Sequence, residues 1–253
     1  MPMDVETAEK EFREAAEQGD PSAQFYLGHA HFMQAHETAR DYEIGLTWIR
    51  KAAAQNFDQA LSLLGYLHKC GEAVPRDLAA SRNWYLKAAE QGHVNHQNNY
   101  ATLCHNGDFG VRDYGEAEVW LLKAAEQGSA DAHDALGQLY SGFLGPKEFY
   151  DPVKSYTWYT LAALQDHPGH SRKAARTARD HVAESMKPDQ IAEAENRVQS
   201  WLRRHPNVMD EDMAEAWRDR IADPLSPEDI EKARRDAEAY MHLLDPDDDG
   251  AET

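Results

Sequence analysis

Along most of this chain the apolar residues recur three and four positions apart rather than in alternation, which is the spacing of one face of an α-helix. After Asp113 they fall at Ala117, Trp120, Leu121, Ala124 and Ala125, and the stripe stops at Gly128. A glycine just past a helix accepts the left-handed backbone that ends it, so the stripe predicts one amphipathic helix closed by Gly128. Upstream lies the turn-rich run His105-Asn106-Gly107-Asp108-Phe109-Gly110-Val111. Arg112-Asp113 then starts the helix, with Asp113 as N-cap. Asn95–His105 has no Pro or Gly and reads as a preceding helix. The unit is therefore helix–loop–helix.

The same unit recurs. Ala-Ala-Glu-Gln-Gly appears at Ala15–Gly19, Ala88–Gly92 and Ala124–Gly128, with a degenerate copy at Ala52–Asn56. The closing residues Gly19, Asn56, Gly92 and Gly128 are 37, 36 and 36 apart, and Trp48, Trp84, Trp120 and Trp158 are 36, 36 and 38 apart. A fixed period of this length marks stacked repeats. The expected fold is all-α, a right-handed α/α superhelix of about four to five repeats with extra C-terminal helices. Such an array has no central cavity for a catalytic pocket, but it has a long surface suited to macromolecules.

The small residues have a packing purpose. Alanine pairs allow close helix approach at no side-chain entropy cost. Leu27-Gly28, Leu64-Gly65 and Leu136-Gly137 do the same on the first helix of three units. Glycine inside a helix costs about 0.5–1 kcal/mol relative to alanine, so its recurrence argues for close backbone contact. The tryptophan is expected to fill the space beside these small residues.

The ends differ from the repeats. Residues 1–21 form a capping helix and the start of the first repeat, with Asp4–Gln18 helical and Ala8, Phe12, Ala15 and Ala16 on one face. Residues 22–204 form the solenoid with its closing helices, where Pro188–Arg204 packs Ile191, Ala194, Val198 and Trp201 onto the last repeat. Residues 205–244 read as an acidic appendage of two helices, Asp212–Ile221 and Pro227–Leu244. Ser226 and Pro227 supply the start signal for the second. Residues 245–253 read as a disordered acidic tail.

The net charge is −19, and residues 205–253 hold 16 acidic against 5 basic residues, or −11 of it. That balance disfavours nucleic acid and anionic membrane, which need clustered Lys and Arg, and it suits a basic partner. No stretch approaches the ~18–20 apolar residues needed to cross a bilayer. The opening Met1-Pro2-Met3-Asp4-Val5-Glu6 has neither the basic nor the apolar region of a secretory leader. The cytoplasm is the expected location, or the periplasm for a mature form. Cys70 and Cys104 are too few for a disulfide framework. Both lie near the ends of first helices, where a small and mostly buried residue fits, so they read as structural free thiols, with a disulfide or a reactive thiol as alternatives.

Candidate chemistry is sparse. Asp245, Asp247, Asp249 and Gly250 match the start of an EF-hand loop, but the chain stops at Thr253, before the bidentate Glu. A solvated acidic tail is the expected reading. His29-x-His31, His93-x-x-His96 and His167-x-x-His170 have spacings that could touch a metal, yet no Cys/His/Asp quartet with zinc spacing accompanies them. His96 stands where the repeat holds a small alanine, which suggests a partly buried, hydrogen-bonded role. Cys104 and His105 are sequence neighbours and point apart on a helix. No Gly-x-Ser-x-Gly elbow and no phosphate-binding glycine loop occurs. The reading is a non-enzyme with no cofactor and no metal site.

The pattern Leu-Gly-x-x-Tyr/His-x-x-Gly-x-x-Val-x-x-Asp-x-x-x-Ala-x-x-Trp-x-x-Lys-Ala-Ala-Glu-Gln-Gly resembles the Sel1-like repeat, a relative of the tetratricopeptide repeat. Repeat two matches it well, with Leu64-Gly65, Gly71, Val74, Asp77, Trp84 and Ala88–Gly92. Repeat three keeps Gly107, Val111, Asp113, Ala117 and Trp120 but carries Tyr100-Ala101 for Leu-Gly. Repeat four keeps Leu136-Gly137, Tyr140 and Trp158 with a longer loop. Repeat one has Leu27-Gly28 and Trp48, with Gln34–Thr38 in place of the Gly-x-x-Val loop. The resemblance spans roughly residues 11–203 and implies an adaptor without shared catalytic residues. It also admits an inhibitor or immunity protein that neutralises a basic toxin or effector enzyme.

The expected partner is a protein or peptide held on the concave face of the first helices. Stepping by the repeat, that face carries Phe25, His29 and Phe32, then Tyr66 and Lys69 beside Ser62, then Asn98, Thr102 and His105, then Asp134 and Gln138 beside Ser141. Phe25, Phe32 and Tyr66 break an otherwise polar face, and aromatics are favoured anchors. The alternative is that they pack against the terminal helices.

Overall fold

The computed structural model describes residues 5–34, 39–142, 146–165 and 172–206. Among them every regular element is helical. The chain divides into two compact units, Met1–Ala124 and Ala125–Thr253.

The first unit holds α1 (Val5–Glu17), α2 (Pro21–Gln34), α3 (Ala39–Ala54), α4 (Asp58–Cys70), α5 (Leu78–Glu90), α6 (Val94–Asn106) and α7 (Tyr114–Ala125), which ends at the boundary. These are the expected helix pairs. Asn95–His105 lies within α6, and α1 covers the Asp4–Gln18 prediction apart from its ends. Asp77 and Asp113 cap α5 and α7, accepting from the backbone N–H of Ala80 and Glu116 at 2.9 and 3.0 Å. The repeat-closing residues take left-handed backbone, including Asn56 at φ 60°, which is why asparagine can stand in for glycine there. α1 lays Phe12, Ala15 and Ala16 against Ala23, Leu27 and Ala30 of α2 and Trp48 of α3.

The second unit holds α8 (Ala130–Tyr140), a 3₁₀ turn at Lys147–Phe149, α9 (Pro152–Ala163), α10 (Arg172–Glu184) and α11 (Pro188–Arg204). Asp151 caps α9 through the Lys154 N–H at 3.0 Å, with Pro152 in the first turn, where its missing N–H costs nothing. The expected face of α11 is the one that packs. Ala194 and Ile191 join Val153, Tyr156 and Tyr159, while Val198, Trp201 and Leu202 join Leu161, Trp158 and Leu164.

The helical glycines do mark close approach, but the tryptophan is not what fills the space. A Cβ on Gly65 would meet the Tyr85 ring at 2.7 Å, and one on Gly137 would meet the Tyr159 ring at 2.6 Å. In both repeats the filler is the residue after the tryptophan. The reason is register: neighbours on a helix point about 100° apart, and the close seam takes Tyr85 and Tyr159. Repeat three puts the bulk differently. Ala101 stands where the glycine would be, and the equivalent of Tyr85 is the smaller Leu121; both are buried. Buried serines add a second tie at this seam. Ser81 Oγ donates to the Gly65 carbonyl, and Ser155 Oγ to the Gly137 carbonyl, each at 2.8 Å.

Three of the four repeat tryptophans instead carry lysines. Lys51, Lys87 and Lys123 sit over the rings of Trp48, Trp84 and Trp120 at 3.9, 4.9 and 3.4 Å from the centroid. The Trp-x-x-Lys spacing places the ammonium one helical turn past the indole, a cation–π pair of about 0.5–1 kcal/mol at an exposed site.

Both cysteines are free thiols, but only Cys104 is buried; Cys70 is exposed, against the expectation for both. Cys70 is the last residue of its helix, where the chain turns out through Gly71, whereas Cys104 lies two residues inside the end of α6, on the opposite side of the helix from the position equivalent to Cys70. Burial pushes the Cys104 thiol up to about 11. Iodoacetamide at mildly alkaline pH is therefore expected to label Cys70 in the native protein and both thiols in denaturant, read as adducts by mass spectrometry. Equal native labelling of the two would refute the burial of Cys104.

The helices expected at Asp212–Ile221 and Pro227–Leu244, the tail with Asp245, Asp247, Asp249 and Gly250, the pair His167 and His170, and the loop residues 35–38 lie outside the described residues.

Candidate partner-binding face

The first helices of three repeats, α2, α4 and α6, stand side by side in the first unit. Phe25 of α2 meets Phe57, which precedes α4, with ring centroids 5.4 Å apart. Between α4 and α6, His96 forms a bridge, with Nε2 at 3.0 Å from Asp58 Oδ2 and Nδ1 at 3.0 Å from Ser62 Oγ. This is the partly buried, hydrogen-bonded role expected of a histidine in an alanine position. Lys69 reaches past the end of α6 to Asp108 at 3.1 Å.

Eight of the ten expected face residues lie in this unit. Phe25 is half-buried among Tyr26, His29 and Phe57, with centroid distances of 5.5, 5.6 and 5.4 Å. His29 is half-buried too, and that desolvation lowers its pKa, favouring the neutral ring. Tyr66 is 44% exposed. Lys69 is ion-paired as described. Asn98 is half-buried and Thr102 exposed, and the Thr102 hydroxyl donates to the Asn98 carbonyl at 2.9 Å. His105 is half-buried and meets Tyr114 edge-on at 5.2 Å.

Phe32 does not belong with them. It is 7% exposed, it sits in the core with Leu46, Ile49 and Leu64, and its ring meets Tyr42 edge-on at 5.1 Å. Counting by the repeat places Phe32 with Lys69. The close approach of α2 and α3 turns that position inward: the Phe32 backbone runs against Gly45, where a Cβ would sit 3.0 Å from its nitrogen. In the second unit, Asp134 and Gln138 are half-buried and joined to each other at 2.5 Å.

Two exposed residues escaped the register count. Tyr26 and Met33, at 41% and 44%, lie on α2 beside Phe25 and Phe32. The signal for them was the run of large apolar residues on α2, too many for one buried stripe. Among the described residues no group of three or more His, Cys, Asp or Glu is placed to hold a metal, and no helix is long and apolar enough to cross a membrane.

The profile of the Sel1 repeat matches residues 21–57, 58–93, 97–129 and 130–167, more than half of the chain. The chain belongs to the Sel1 repeat family. Three of the four matched Sel1 repeats open at or next to the first residue of a first helix, and the third opens within α6. α1, α10 and α11 lie outside the match. Solved structures agree on the fold. A protective antigen present in uropathogenic Escherichia coli strains, displaying an SLR fold, is 25% identical with a TM-score of 0.58, over 88% of this chain and 44% of that one. A Sel1 repeat protein from Oxalobacter formigenes is 23% identical with a TM-score of 0.57, over 94% of this chain and 70% of that one. This chain thus spans less than half the length of the first. Among curated proteins, none matches. Sel1 repeat proteins generally mediate protein–protein interactions and are generally non-catalytic.

Proposed function

We propose that this chain is a non-enzymatic adaptor that binds a protein or peptide across the first-helix face of its Sel1 repeats. The observation that carries the reading is the exposure of Tyr66 on α4 together with Tyr26 and Met33 on α2. Large apolar side chains left in water on adjacent first helices are what a partner would cover. Phe25, His29, Lys69, Asn98, Thr102 and His105 border them. Asp134 and Gln138 hold the equivalent positions in repeat four.

The test compares affinity capture by the full chain and by Tyr66→Ala, read by quantitative mass spectrometry. The variant is expected to lose the specific partner while its melting temperature stays within about 2 °C, as for a surface substitution. Phe32→Ala is unsuitable beside it, because emptying a core site costs about 3–5 kcal/mol. An unchanged partner set for Tyr66→Ala would remove the face from consideration.

A second reading is an inhibitor or immunity protein for a basic effector enzyme. The net charge of −19 favours it, since acidic surfaces steer basic partners into encounter.

A further inference from the structure

Formal charge is sparse on the first helices that carry Tyr26 and Tyr66. Helix α2 contains no Asp, Glu, Lys or Arg, and neither does α6. Helix α4 contains two such residues, Asp58 and Lys69. Thus 2 of 40 residues on the three first helices carry formal charge, against 28% for the whole chain. Both are answered within the fold. Asp58 receives the His96 ring at 3.0 Å and has His93 Nε2 at 3.7 Å, while Lys69 reaches Asp108 at 3.1 Å. The second helices differ: α3 carries Asp41, Glu43, Arg50 and Lys51, and α7 carries Glu116, Glu118 and Lys123.

The neutral surface is also graded. Its α2 end offers Tyr26 and Met33, the middle offers Tyr66, and the α6 end offers Asn99, Thr102 and Asn106, all exposed. Burying an unpaired charge under a partner costs several kcal/mol unless it is answered, whereas amides and hydroxyls need only an ordinary hydrogen-bond partner. First helices whose own charges are answered, with large apolar anchors at one end and amides and a hydroxyl at the other, are complementary to uncharged chain.

Resting on the adaptor reading, we infer that this face takes an uncharged peptide segment, with a large apolar side chain toward α2 and α4 and hydrogen-bonding backbone toward α6. The net charge of −19 then acts outside the contact, on solubility and encounter. The basic partner suggested by overall charge is not the one this face selects.

The experiment pans a random-peptide phage library on the immobilised full chain. Selected sequences are then synthesised and titrated by fluorescence anisotropy at about 0.1 M and about 1 M salt, where the Debye length falls from about 10 Å to about 3 Å. The inference expects net-neutral peptides with an apolar anchor, and affinity that changes less than about twofold with salt. A segment held by several exposed ion pairs would weaken about tenfold. Tyr66→Ala is expected to weaken the selected peptides about tenfold or more, and Met33→Ala to weaken them too. Lys- and Arg-rich peptides that are salt-sensitive and still lost in Tyr66→Ala would overturn the inference and leave the face standing. No enrichment over an uncoated control, or binding indifferent to both substitutions, would overturn the face reading and the inference with it.

Discussion

Trp201→Ala is expected to lower the unfolding free energy of the second unit by about 3–5 kcal/mol, the range for emptying a large buried aromatic site. Trp201 is 3% exposed. Its ring meets His133 edge-on at 4.9 Å and lies flat on His205 at 4.0 Å, and it packs with Leu161, Val198 and Leu202. His133 is itself wholly buried and is held by the Gln165 side chain, whose amide donates to Nδ1 at 3.1 Å. Removing the indole therefore opens a void beside a buried polar ring, on the seam that fastens α11 to the repeats. The indole N–H has no hydrogen-bond partner among the described residues. Trp201→Phe should accordingly cost well under half as much, since it removes volume but no bond. Urea denaturation followed by circular dichroism measures both. An alanine variant within about 1 kcal/mol of the parent would show that α11 is not fastened by this side chain.

Gly28→Ala is the second large effect, a loss of about 2–3 kcal/mol from overpacking. The added Cβ would sit 2.8 Å from the Gly45 carbonyl oxygen and 3.0 Å from both Ile49 Cγ1 and the Ile49 backbone nitrogen. The same holds in reverse, because a Cβ on Gly45 would sit 2.8 Å from the Gly28 carbonyl oxygen. Backbone cannot swing aside as a side chain can, so α2 and α3 must separate, loosening Phe32, Leu46 and Ile49 together. Gly115→Ala in α7 is the control, since the nearest atom to its Cβ is Asp113 Oδ1 at 3.9 Å. There the helix preference for alanine is expected to show, as a gain of up to about 1 kcal/mol. If thermal denaturation finds the two variants equal, the close approach of α2 and α3 is wrong.

These two sites differ in how far they were legible. Gly28 announces itself, because a glycine repeated inside a helical pattern has no reason to be there other than close contact. What it touches was not legible. The period placed Trp48, Trp84 and Trp158 beside the small residues, whereas the seam takes Ile49, Tyr85 and Tyr159. One position along a helix is about 100° of rotation, and the exact rotation of each helix is settled by the shape of its neighbour. Phe32 was misplaced for the same reason: it follows the register of Lys69 but turns into the core with Leu46, Ile49 and Leu64. Cys70 and Cys104 both stand near the ends of first helices, but two positions apart in the repeat, about 200° of helical rotation, and one is exposed while the other is not. The bridge from His96 to Asp58 and Ser62 joins residues more than 30 apart, and only its histidine stood out as an exception to the repeat.

Taken alone, the sequence determined the all-helical class, the period and the helix ends, because caps, glycines and three-to-four spacing act within a few residues of themselves. Only the tertiary structure decided which side chain fills each seam, which thiol is covered, and that the charges on the first helices are answered by histidine and aspartate from the next repeat. Those outcomes depend on distances between segments about 20 to 40 residues apart, and local rules carry no information at that range.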